Sequence, residues 1–103
     1  MASFVKVIKK SEIANGSKKT VFTSGKRIMI ANVDGQFFAL DDACTHAGCS
    51  LGTEGVLEGS VITCGCHGSQ FEVGSGKVLN PPANVSMGTY EVKTEGDDVL
   101  VAL

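Results

Sequence analysis

The chain has 103 residues, 43% hydrophobic and 19% charged, so a single folded domain over 1–103 is expected, neither disordered nor membrane-buried. A formal charge of −2 argues against nucleic acid as a partner. No apolar run nears the roughly 18 residues of a membrane span, and MASFVKVIKKSE lacks a secretory pattern, so a cytoplasmic protein without a membrane span is expected.

In chain order, Phe4, Val5, Val7 and Ile8 predict a first strand, and SEIANG a short turn or single helical turn ending at Gly16. Residues 20–22 and 26–33 read as strands parted by Ser24-Gly25. The second meets a strand over 36–40 across Asp34-Gly35, a strong two-residue hairpin signal. Further short strands are expected over 61–64, 70–73, 89–93 and 99–103. Glu58-Gly59, Gly74-Ser75-Gly76, Pro81-Pro82 and the Glu95 to Asp98 stretch interrupt them. Met29 and Met87 are expected in the core and Tyr90 in strand packing. No window of eleven residues holds a helical period, which predicts an all-β, antiparallel sandwich or small barrel.

Charge is unevenly spread. Residues 1–35 carry seven Lys/Arg against two Asp/Glu, and residues 36–103 carry two Lys against nine Asp/Glu. Between Gly35 and Gly76 there is no cation, only Asp41, Asp42, Glu54, Glu58 and Glu72. Such a stretch is either an ordinary solvated face or an acidic rim that steers the domain onto a basic partner.

All four cysteines and both histidines lie in CTHAGC (44–49) and CGCHGS (64–69). Each segment offers one thiolate and one imidazole, as Cys44-x-His46 and Cys64-x-x-His67. Gly48, Gly65 and Gly68 let backbone pass close to a bulky inorganic centre. Leu51 and Phe71, each three residues beyond a glycine, would anchor the loops in the core. The residues alone leave several chemistries open. Two Cys and two His suit a structural zinc, although finger-type spacing is absent. A pair of structural disulfides leaves the histidines unexplained. Four-cysteine iron–sulfur spacing fails at Gly52, and a C-x-x-C redox motif fails at Cys64-x-Cys66.

C-x-H-x-G-x-x-L followed by C-x-x-H-G-x-x-F resembles the Rieske iron–sulfur signature, and the chain is similar to Rieske-type ferredoxins in size and hairpin-rich pattern from end to end. The resemblance implies a Rieske-type fold with a cluster-binding subdomain of about 41–83, its two loops at one tip. It implies one 2Fe–2S cluster, with Cys44 and Cys64 on the inner iron and His46 and His67 on the outer. With two thiolates in place of four, the oxidised centre is neutral, so an added electron meets less repulsion.

The implied function is a one-electron carrier, not an enzyme, working between a reductase and a terminal oxygenase or oxidase. An oxygenase site would need further histidines that the chain lacks. A monomer is expected, docking at the tip around His46 and His67 with Asp41, Asp42 and Glu54 as guides. A structural zinc module and a redox sensor built on the same loops remain as alternatives.

In Rieske proteins of cytochrome bc complexes, cysteines placed like Cys49 and Cys66 form a disulfide, whereas dioxygenase-type ferredoxins usually lack them. The chain thus resembles a hybrid, and a bridge is expected; in the chain-entropy account a loop of about 17 residues is worth roughly 3 kcal/mol. Such a bridge is unusual in a cytoplasmic protein. Ser69 matches a serine that donates to a bridging sulfide. Phe71 stands where high-potential members carry a tyrosine, and Gly65 replaces a usual proline. An intermediate potential is implied, which Phe71→Tyr should raise. Pro81-Pro82-Ala83 resembles the proline-bearing third loop that covers the cluster.

Overall fold

The structure, a computed structural model, describes residues 3–43, 48–66, 68–81 and 85–103. Short strands and two-residue turns dominate. β1 (Phe4–Lys9) leads through a 3₁₀ turn (Lys10–Glu12) to β2 (Lys18–Thr23), β3 (Lys26–Val33) and β4 (Gln36–Asp41). Ser24 and Gly25 have φ of 50° and 74°, and Asp34 and Gly35 have 52° and 85°. Two central residues at positive φ give the turn twist that lets paired strands continue without splaying. The second turn fixes the β3–β4 register, pairing Ile28 with Asp41.

A single helical turn, α1 (Leu51–Glu54), follows, then β5 (Val56–Glu58), β6 (Val61–Thr63), β7 (Gln70–Glu72) and β8 (Val78–Asn80). The chain closes with β9 (Thr89–Tyr90), β10 (Val92–Glu95) and β11 (Asp98–Ala102). Among the described residues the strands form three antiparallel sheets, ordered β1-β11-β10, β2-β3-β4-β9 and β5-β6-β7-β8. The all-β, antiparallel class expected from the sequence holds, and α1 is a short addition to it. The expected strand over 89–93 is divided at Glu91, so that β9 joins one sheet and β10 another.

The middle sheet is buried on both faces, which explains why β3 reads as an almost unbroken apolar run. Ile28, Ile30, Phe37 and Ala39 face the β1-β11-β10 sheet and pack with Ile8, Ile13, Val99 and Val101. Met29, Ala31 and Leu40 point the other way and pack with Leu51, Ile62, Cys64, Phe71, Val73 and Met87. This second core therefore lies directly under the two cysteine-bearing segments. Full burial of Leu51 and Phe71 is worth about 1.5–3 kcal/mol each.

Candidate metal centre

Both cysteine-bearing segments are closed loops. Ala43 bridges Ser50 across residues 44–49, and Thr63 pairs with Gln70 across residues 64–69. The first closure is reinforced where Leu51 N–H donates to Asp42 O at 2.8 Å. Ser50 then caps α1 by accepting from Thr53 N–H at 3.2 Å. In the second loop Cys64 N–H donates to Ser69 O at 2.7 Å, and Gly68 N–H donates to Cys64 O at 3.0 Å. Gly48 and Gly68 have φ of 75° and 80°, a conformation that favours glycine.

A Cys49–Cys66 disulfide joins the loops, with Cα atoms 6.5 Å apart. Cys64 is a free thiol, 2% exposed, packed in the core with Leu51 and Phe71. The three sulfurs of Cys49, Cys64 and Cys66 lie within 4.8 Å of one another. Two of them are spent in the bridge, so this trio is not itself a metal-binding set. Cys44, His46 and His67 lie outside the described residues, as do Pro82 and Ala83 of the third loop. Pro81 is exposed, and Ser69 is fully buried.

Gly65 answers to a different neighbour from the one its sequence position suggests. A Cβ there would lie 1.8 Å from Glu54 O, so its close approach is to the backbone of α1. Glu54 is exposed, and its Oε2 lies 3.4 Å from the Cys66 sulfur. A bridged sulfur carries no hydrogen, so this is a contact and not a hydrogen bond.

The docking role expected of Asp42 is corrected by its burial: it is 0% exposed. Its carboxylate accepts from Thr20 Oγ1 at 2.9 Å, Gly52 N–H at 2.7 Å and Ser50 Oγ at 2.5 Å. Arg27 Nε completes the set at 2.8 Å, and Arg27 Nη2 donates to Gly48 O at 3.1 Å. Asp42 thus ties β2, β3 and α1 to the base of the first loop. Arg27, Thr20 and Ser50 went unnoticed in the sequence reading. The signal was available, because the Asp34-Gly35 turn sets Ile28 against Asp41 and so brings Arg27 opposite Asp42.

Asp41 is half-buried and accepts a hydrogen bond from Tyr90 Oη. Burial, then that bond and the charge of Asp41, push the Tyr90 pKa up to about 12. Tyr90 therefore does more than pack, because it clamps β9 to the end of β4.

Two closed hairpin loops, joined by a disulfide over a shared apolar core, define a small antiparallel β-sheet module. The chain belongs to the Rieske [2Fe-2S] domain family, which it matches over residues 3–91. It is 39% identical over 99 residues to the biphenyl dioxygenase ferredoxin subunit of Pseudomonas sp. (strain KKS102), covering 96% of this chain and 91% of that one. It is 40% identical over 101 residues to the ferredoxin component of biphenyl 2,3-dioxygenase from Rhodococcus jostii (strain RHA1), covering 98% and 94%. Among solved structures it superposes with TM-score 0.89 and 36% identity on a chain of the complex of reduced oxygenase and oxidized ferredoxin in carbazole 1,9a-dioxygenase, covering 96% and 92%. Family membership implies an iron–sulfur cluster, and the chain is an electron-transfer protein, not an enzyme in its own right.

The residues fit such a group. Cys64 offers an unpaired sulfur at the core side of one loop, and the bridge holds the other loop against it. Among the described residues no helix is long and apolar enough to cross a membrane.

Proposed function

We propose that the chain is the ferredoxin component of a dioxygenase-type system. It would carry single electrons in the cytoplasm from a reductase to a terminal oxygenase. Cys44, Cys64, His46 and His67 would hold one 2Fe–2S cluster within a cluster-binding subdomain of about 41–83. The observation that carries this reading is the pair of six-residue loops, each closed by an antiparallel pair, bridged to one another and set over one core.

When bound, the cluster supplies a reversible one-electron change. The chain's own work is to hold the site still and dry. Leu51 and Phe71 exclude water from below, and the two backbone bonds at Cys64 fix the second loop. A site that does not rearrange lets an electron enter and leave without reorganising its surroundings. Ser69 would donate to the cluster's sulfide, and Pro81 would begin the covering loop. Partners would meet the tip formed by residues 44–49 and 64–69, with Glu54 on its rim. The chain would work as a monomer.

The test is an EPR spectrum of the dithionite-reduced, full-length protein, with His46→Cys for comparison. A coloured protein whose reduced spectrum changes when a nitrogen ligand is exchanged for sulfur is expected. Colourless protein holding one zinc per chain would overturn the proposal.

A further inference from the structure

The Cys64 thiol has a use that cluster ligation does not exhaust. It is 2% exposed and so shielded from bulky reagents in solvent, yet its sulfur lies within 4.8 Å of both sulfurs of the Cys49–Cys66 bridge. A thiol in that position faces a disulfide from the inside. We propose that Cys64 is an intramolecular thiol–disulfide exchange site, active before iron is bound.

In the exchange the Cys64 sulfur bonds to the Cys49 sulfur, the Cys49–Cys66 bond breaks, and the proton of Cys64 passes to the departing Cys66. Nothing is oxidised or reduced overall, so no outside reagent is consumed. Attack at Cys49 is favoured over attack at Cys66, because a Cys64–Cys66 bond would close a tight ring across one residue. The departing sulfur is also awaited. Glu54 Oε2 lies 3.4 Å from Cys66 Sγ, a contact without a proton in the bridged form and an S–H···O hydrogen bond in the exchanged one. Gly68, at positive φ and with open space where a side chain would stand, gives the second loop room to shift.

The consequence rests on the proposed function. A chain in the exchanged form has no Cys64 thiolate to give to iron, so loading would await a shift back to the Cys49–Cys66 form. The exchange itself does not depend on that reading.

The test is linkage mapping of the full chain, stripped of iron with a chelator under anaerobic conditions. After increasing delays thiols are trapped with a maleimide in acidic denaturant, which halts exchange and exposes the buried sulfur, and the peptides are identified by mass spectrometry. A Cys49–Cys64 linked peptide should grow with time, the alkyl label moving from Cys64 to Cys66 at a rate independent of protein concentration. A map showing only Cys49–Cys66, with Cys64 labelled at every delay, overturns the proposal. The Cys44→Ser chain removes the other thiol, and label movement must persist in it. If that variant does not fold, the wild-type map still decides, since linkage to Cys44 and linkage to Cys64 give different peptides. Iron content and colour, measured separately on untreated protein, report on the cluster reading alone.

Discussion

At Phe71 the ring is fully buried in the cluster that holds Cys64 and Leu51. A hydroxyl added there is either satisfied by a cysteine sulfur or left buried without a partner at a cost of about 1–3 kcal/mol. The two cases are separable. Phe71→Tyr should raise the reduction potential by on the order of tens of millivolts, since a donor to a ligand sulfur favours the more negative state. A titration showing no rise, together with a lower unfolding temperature, would mean that the hydroxyl found no sulfur. Tyr90 gives a second test at this scale. An ordinary phenol ionises at 10.0, whereas Tyr90 is held protonated to about 12, first by burial and then by Asp41. Between these values the folded chain keeps a proton that the unfolded chain has lost, so stability is full below pH 10 and falls as pH rises through the window. In Tyr90→Phe the fall between pH 10 and 12 should flatten, at a cost of about 1 kcal/mol at neutral pH. Urea midpoints measured against pH would show it, and parallel curves for the two proteins would contradict it.

At the scale of elements, α1 is the part that links the loops. Its cap is Ser50 at the end of the first loop, and its last carbonyl, Glu54 O, is covered by Gly65 of the second. Gly65→Ala would put a carbon 1.8 Å from that oxygen and drive helix and loop apart. A loss of roughly 2–4 kcal/mol is expected. Gly68→Ala in the same loop, strained by its φ of 80°, should cost only about 1–2 kcal/mol. Thermal unfolding of the pair would reverse this order if α1 did not bear on the second loop. The sequence could not announce α1, because LGTE is too short for any helical period to emerge. β5 and β8 escaped for a related reason: each has three residues, and Val56 and Leu79 are exposed, so neither alternates cleanly. The β2–β3–β4 hairpins were legible because Ser24-Gly25 and Asp34-Gly35 dictate both turn and register. The two cysteine loops were legible because ligand chemistry restricts residue type and order. Asp42 was misread because a count of charge along the chain ignores Arg27 across the strand.

That misreading matters for the molecule as a whole. Of the acids that suggested a steering rim, Asp42 is paired with Arg27, Asp41 is tied to Tyr90, and Glu72 accepts from Ser75. Glu54 is left at the loops themselves. On the flank of the first loop, Lys18, Lys19, Arg27 and the exposed ring of Phe22 line a cleft of about 430 Å³. Positive and negative groups therefore both lie beside the first loop, and the net charge is only −2. Strong electrostatic steering needs a one-signed field, and its hallmark is a steep fall in association rate as salt is added. Here the basic cleft reaches Thr53, the neighbour of Glu54 in sequence, so opposite charges flank the same loop and their fields offset one another. Electron transfer from the reductase component of a dioxygenase system should therefore slow by less than about threefold between low and physiological salt. Stopped-flow reduction of the chain at a series of salt concentrations measures this directly. A fall of tenfold or more would restore the acidic rim, and Glu54→Gln would then show whether Glu54 supplies it.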